Sequence, residues 1–550
     1  MRIVTPGNLD DPFYYLINFQ RVLEWLARRY ADLLDSEERR FIDGFAGLPR
    51  APQALLVRMV MRKGPLYRAS KLVYGEIGCT HAAVAPLVQA GWVDNRAPLS
   101  VAQLFEVLQK AEVVTLFKAQ LSRTSLRKEQ LLAELLEQAP APQPFTAWCP
   151  DMDDAVYSLP VRPLCDRLRL LFFGNLRQDW SEFVLADLGI YRYEQVELDP
   201  ASRGLQSRAD IDFCVQLHAC RQALEEGGLL APLLQQLATL HSDNAWLQGR
   251  RDRLLFAVGQ QCERQDLLEQ ALAIYEQCAY PGARARRIRV LERCEHYEAA
   301  LALAEVALAA SESAAEAQQI PRMVPRLRRK LGLPALPRVG KAAVNESQLL
   351  LAQDPGLSVE QRVARHLHLD EAPVHYVENS LINSLFGLLC WPAIFAALPG
   401  AFFHPFQSGP TDLHQPDFRQ RRGALFDACL AQLHDGRYQD SIRACYRDKW
   451  GLQSPFVYWQ ALTQELLELA LHCLPAEHLH HCFERLLQDI AANRAGMPDL
   501  IQFWPAERRY QMIEVKGPGD RLQDNQLRWL EFCARHALPV QVCYVQWAQA

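Results

Sequence analysis

Apolar residues recur at helical spacing through most of the chain. Phe13, Leu16, Phe19, Leu23 and Leu26 stand three or four apart, so residues 1–50 are expected to form one or two amphipathic helices. Residues 51–95 read as helix, turn, short helix and then GWVDN, the outline of a winged-helix-like unit that lays a helix on duplex DNA. Residues 98–138 predict two short helices joined by a basic turn, with Ser122 and Thr124 as candidate caps before RKEQLLAELL. The Pro/Ala-rich stretch around 140–145 marks a boundary.

Helix follows helix from 160 to 335. EQALAIYEQ (269–277) overlays EAALALAEV (298–306) at an offset of 29, which is similar to a tetratricopeptide-type helical pair. LGLPALPRVGKAA (331–343) is the expected linker into a last domain of different texture. There, long helices come first, and DLIQFW and YQMIEVK then read as two strands joined by a short loop. Gly517-Pro518-Gly519-Asp520 breaks the second strand and leads into a helix carrying Leu522, Gln526, Trp529 and Cys533 on one stripe.

Composition narrows the class. A chain of 550 residues is expected to hold roughly three to five domains. Its Leu and Ala content favours helix. No apolar run approaches the roughly 20 residues a bilayer span needs, and the N-terminus lacks a secretion signal, so a cytoplasmic protein without a membrane partner is expected. Fifteen scattered cysteines without a C-x-x-C pair argue against a disulfide framework or a standard zinc finger.

The net charge of −5 says little, but its distribution matters. Arg50, Arg58, Arg62, Lys63, Arg68 and Lys71 run without an acid until Glu76. Arg123, Arg127 and Lys128 fill the basic turn. Further clusters stand at Arg284–Arg289 and Arg326–Lys330. Each is either a solvated helix face or a phosphate contact, and a nuclease-like site in the same chain favours the second.

That site is the Asp499, Glu514, Lys516 constellation. Alternation puts Glu514 and Lys516 on one strand face with Val515 opposite, and Asp499, opening the preceding strand, reaches the same place if the two strands pair. Two carboxylates and a lysine suit metal-dependent phosphodiester hydrolysis with Mg²⁺ or Mn²⁺. P-D-x(14)-E-x-K is also the generic restriction-endonuclease-like signature, and alone it is weak. Gln526, polar on an apolar stripe, either meets a backbone partner or reaches into the site. Glu378, heading the stripe of Ile382, Leu385 and Leu389, is a helix-end carboxylate or an additional metal ligand.

GMPDL followed by IEVKGPGDRLQDNQLRWL closely resembles the virus-type replication–repair nuclease domain. VENSLINSLFGLLCWPAIF, LVRMVMRKGPLYRASKLVYGEI and LRLLFFGNLRQDWSEFVLADLGIYRY resemble, in the same order, the Fanconi-anaemia-associated nuclease family. The resemblance, over about residues 45–546, implies a mainly α multidomain enzyme. Its parts would be an N-terminal DNA-binding region (1–140) with winged-helix and SAP-like modules (the latter about 98–138), a tetratricopeptide-like domain (141–335) and an α/β restriction-endonuclease-like nuclease domain (345–550, core about 370–550).

It further implies cutting of 5′ flaps and other branched DNA, 5′ to 3′ trimming, and service in interstrand crosslink repair. Carried over by position, Glu378, Asp499, Glu514 and the Val515 carbonyl would bind metal, two ions being implied, with Lys516 as the catalytic lysine. Self-association on DNA stays open. The front ubiquitin-binding finger of animal members is missing. Arg494 fits their pocket for a 5′ phosphate, whereas Ala491 and Asn525 stand where basic residues would be expected. These departures point to a bacterial member.

Three rival readings accompany this one. HCLPAEHLHHC offers Cys473, His478, His481 and Cys482 as a zinc site, with a spacing that matches no standard pattern. The whole protein could instead be another restriction-like nuclease such as a junction resolvase, or a catalytically silent helical-repeat scaffold.

Overall fold

The computed structural model describes residues 11–137, 141–180, 182, 191–335, 337, 344–354 and 356–548. They form two compact units, one within 1–191 and 205–215, the other within 192–204 and 216–550. Most of the expected linker at 331–343, the first ten residues and part of the stretch around 183–190 lie outside the described residues.

In the first unit the amphipathic pattern yields helices Tyr14–Arg29, Ser36–Gly47 and Arg50–Val60. Asp35 caps the second with a reciprocal box, accepting from Glu38 N–H while Glu38 accepts from Asp35 N–H. Strand β1 (Leu66–Arg68), helix Thr80–Gln89 and strand β2 (Pro98–Leu99) follow. Residues 98–137 hold three helices rather than the two expected: Val101–Val107, Lys110–Leu116 and Lys128–Glu137. Their cap also differs. Ser100 caps the first, whereas Ser122 donates its N–H and hydroxyl to Glu134 and caps nothing.

Strand β3 (Gln143–Pro144) pairs with β2, and β4 (Val156–Ser158) pairs with β1, both antiparallel. The first unit therefore runs past the boundary expected near 140, because strand pairing carries residues 143–158 back onto earlier ones.

The second unit begins as a helical array: Ala245–Arg264, Leu268–Glu276, Ala283–Arg293, Tyr297–Ala309 and Ala314–Lys330. The repeat read from the sequence is structural. Asp266 and Glu295, 29 residues apart, both turn the chain with positive φ before the second helix of a pair.

The nuclease-like part holds a five-stranded mixed sheet in the order β5-β9-β8-β7-β6. Its strands are β5 (Asn345–Leu351), β6 (Val374–Tyr376), β7 (Leu500–Trp504), β8 (Arg509–Lys516) and β9 (Val540–Trp547). β7 pairs antiparallel with β6 and β8, and β9 runs parallel to both β5 and β8. Central β8 is buried on both faces. Met512 belongs to the large core built with the helices around Leu381–Leu389 and Ala476–Gln488, while Ile513 and Val515 pack in a smaller core with Val363. β5, β6 and β9 had not been expected. No helix among the described residues is long and apolar enough to cross a membrane.

Candidate active site

Asp499 stands one residue before β7, and its pairing with β8 (Leu500 opposite Ile513) sets Asp499 level with Glu514 on the sheet face shared with Met512. Val515 N–H donates to Asp499 Oδ2 at 2.8 Å, and Lys516 Nζ lies 2.6 Å from Glu514 Oε1. The hairpin expectation holds, and the three side chains converge. Gly496 explains part of the approach. Its φ is +92°, and a Cβ there would come within 2.7 Å of the Asn525 backbone, so only glycine lets the loop before Asp499 press on the helix Asp524–Arg535.

The site is buried and short of compensating charge. Asp499, Glu514 and Lys516 are 6%, 0% and 8% exposed. Burial pushes Asp499 up to about 6, against the Val515 N–H bond and the Lys516 charge. Burial, reinforced by the neighbouring Asp499 charge, pushes Glu514 up to about 7 despite Lys516. Neither Glu514 oxygen receives a hydrogen bond of good geometry. A buried carboxylate left so poor in donors is chemically a place for a cation. A hard divalent cation therefore fits this oxygen-rich pair. Among the described residues no three His, Cys, Asp or Glu side chains gather closely enough to enclose an ion.

That third carboxylate is Glu378, and here the structure corrects the sequence. The helix starts at Leu381, not at Glu378, since Asn379 has φ +50 and breaks the helical run. Ile382, Leu385 and Leu389 are buried as expected, but Glu378 lies ahead of their stripe and is exposed. Its oxygens accept from Tyr376 Oη (2.5 Å) and Asn379 Nδ2 (3.1 Å). Sequence reasoning passed over both donors, and the only signal was their place beside Glu378.

Gln526 sits at the start of the helix Asp524–Arg535. Its side-chain oxygen accepts from Gln523 N–H at 2.9 Å in the capping box of Asp524–Arg535, so it meets the backbone partner that was one of its two expected roles. Arg494 donates to the Pro455 carbonyl at 2.9 Å and lies over the Phe456 ring. In the rival zinc segment, Cys473 and Cys482 are buried and His478 Nδ1 is 2.9 Å from Tyr510 Oη.

The expected DNA contacts divide. Arg68 is tied to Asp154 at 2.5 Å and, through two bonds of 2.7 Å, to Glu112. Arg58 pairs with Glu76 at 2.7 Å over the Tyr15 ring. Arg62 donates to the Lys71 carbonyl, Arg50 sits over Phe13 near Asp11, and Lys128 Nζ donates to the Leu108 carbonyl. Arg58 and Arg68 are thus each paired with acids of the first unit. Lys63, Lys71, Arg123 and Arg127 are exposed and, among the described residues, make no ion pair. In the second unit, Arg284 is paired to Glu316 and Arg326 to Glu292. Arg286, Arg289, Arg322 and Arg326 nonetheless line a cleft of about 1410 Å³ with Arg253 and Arg494.

Comparison with known proteins adds three domain matches. Residues 13–94 match the FAN1 HTH domain, 98–148 the Fanconi anemia-associated nuclease SAP domain, and 433–547 the VRR-NUC domain. Glu378 lies ahead of the last match. The chain is 58% identical to the Fanconi-associated nuclease 1 homolog of Pseudomonas aeruginosa, covering 99% of this chain and 98% of that one. The Arabidopsis thaliana homolog is 24% identical over 97% of this chain and 67% of its own. Among solved structures, paFAN1 bound to a 2-nt 5′ flap DNA with gap superposes with a TM-score of 0.92 at 58% identity, covering 99% of this chain and all of that one.

Proposed function

The chain belongs to the Fanconi-associated nuclease family, and we propose that it cuts 5′-flapped and other branched DNA by metal-dependent phosphodiester hydrolysis, trims 5′ to 3′ from the incision, and serves crosslink repair in a bacterial cytoplasm. The observation that carries the reading is the buried, under-compensated pair Asp499 and Glu514 beside Lys516. The flap preference is supported by the structural likeness to a relative solved on flap DNA.

Asp499, Glu514 and the Val515 carbonyl would hold Mg²⁺ or Mn²⁺, with Glu378 as the outer carboxylate; one ion or two suits this donor set. When bound, the metal supplies positive charge to the phosphate under attack and acidifies water. The residues do the rest. Val515 N–H fixes one Asp499 oxygen, so the other keeps one direction. Lys516 holds Glu514 and brings an ammonium to the face where water must approach. Dry walls strengthen each of these interactions. The cationic cleft and the unpaired Lys63, Lys71, Arg123 and Arg127 suit the phosphate backbone.

The test is cleavage of an end-labelled 5′ flap by wild type and Asp499→Ala with Mg²⁺, Mn²⁺ or EDTA. Cutting near the junction that needs metal and falls at least about a thousandfold in the variant, with DNA binding kept, is the expected result. Binding without cutting under every metal would favour the scaffold reading.

A further inference from the structure

Glu378 is an exposed glutamate with both oxygens engaged by neutral donors of its own segment. Fixing such a side chain costs rotamer freedom. An exposed hydrogen bond returns little of that. The residue that holds it is itself in an uncommon state. Asn379 adopts φ +50, a left-handed conformation unfavourable for an L-residue, although asparagine tolerates it better than most.

The amide of Asn379 has one arrangement open to it. Its Oδ1 accepts from Met497 N–H at 3.1 Å, so its Nδ2 must face Glu378 Oε1. Met497 stands two residues before Asp499. The same two segments are joined again by Val377 N–H to the Asp499 carbonyl at 2.8 Å. Asn383 Nδ2 locks the turn from beneath, donating to the Asn379 carbonyl at 2.7 Å and the Arg494 carbonyl at 2.8 Å. From the other side, Tyr376, on β6 opposite Leu500, brings its hydroxyl to Glu378 Oε2.

From this geometry we infer that Asn379, assisted by Tyr376, is a positioning residue that fixes the Glu378 carboxylate relative to the segment that delivers Asp499. The two donors hold Glu378 in register with the strand that delivers Asp499, so an arriving cation meets a carboxylate already oriented. Both residues act through Glu378. This inference rests on the proposed role of Glu378 as a metal ligand.

The test reads metal binding directly. Mn²⁺ is titrated into the full-length protein without DNA, free Mn²⁺ is followed by electron paramagnetic resonance, and thermal unfolding is recorded in EDTA. The proteins are wild type, Glu378→Gln, Asn379→Gly and Tyr376→Phe. Glycine adopts positive φ freely, so Asn379→Gly should melt no lower than wild type while binding Mn²⁺ about tenfold more weakly. Tyr376→Phe should weaken it about threefold or more. A role confined to the backbone turn would leave Mn²⁺ affinity untouched in Asn379→Gly.

Wild-type affinity in both variants, with Glu378→Gln impaired, overturns the positioning role and leaves Glu378 a ligand. Tighter binding by Tyr376→Phe overturns it as well, because the phenol would then hold Glu378 back from the metal. Unchanged affinity in Glu378→Gln removes Glu378 from the ligand set and the inference with it.

Discussion

Glu38 in the first unit and Glu514 in the second are both 0% exposed, and the fold treats them in opposite ways. Glu38 accepts from Arg167 at 2.8 Å, from Arg208 at 2.7 Å, and from the Asp35 N–H it caps. Glu514 has a single ammonium beside it and no well-aligned hydrogen bond. The first is neutralised from within and holds three segments together. The second keeps an unmet need for positive charge, which a divalent cation can supply. Charge density along the sequence did not separate the two regions. The run from Arg50 to Lys71 is the more heavily charged, yet its best-placed arginines are neutralised by Glu76, Glu112 and Asp154.

Glu38→Ala removes a reciprocal cap and the common partner of two arginines, and should destabilise the first unit by about 3 kcal/mol. Protection of its amides in native-state hydrogen exchange would measure this. Loss of less than about 1 kcal/mol would mean that Arg167 and Arg208 simply turn to solvent and that Glu38 is no keystone.

Next comes pH, where the second region should behave in the reverse of the usual carboxylate manner. Asp499 and Glu514 are raised to about 6 and about 7 from ordinary values near 4. Between those limits the folded state binds more protons than the unfolded one, so stability falls as pH rises. In EDTA the β7–β8 amides should lose protection on going from pH 5 to pH 8, by roughly 1–3 kcal/mol. Glu514→Gln should flatten that slope. Glu112 runs the other way: the Arg68 bond holds its carboxyl low, so its contribution is present above the ordinary glutamate value and is lost as pH falls. Equal slopes in the two regions would contradict the contrast drawn from the two buried glutamates.

The same contrast explains what the sequence could convey. The β7–β8 hairpin was legible because alternation and a short Pro-containing turn are local, and they place Asp499, Glu514 and Lys516 without tertiary knowledge. β5 was not, because NESQLLL lies mostly exposed and becomes a strand only through its parallel partner β9, some two hundred residues later. The start of the helix after Glu378 was misplaced because one residue, Asn379, takes positive φ. The fate of Arg68 was hidden for the same reason as β5, since Asp154 lies 86 residues away.

The smallest effect concerns the cations that remain free. Lys63 and Arg123 are exposed and unpaired among the described residues, so replacing either with alanine should leave stability unchanged within about 0.5 kcal/mol. If each meets a phosphate, each substitution should weaken flap binding modestly at low salt and reduce the slope of log affinity against log salt by about 0.9. Arg58→Ala is the sharpening control, because its guanidinium is already committed to Glu76 and should change stability more than the salt slope. A full unit of slope lost at Arg58, with none at Lys63 or Arg123, would mean that DNA opens the Arg58–Glu76 pair on binding, and internal neutralisation would then be a poor guide to which cations touch DNA.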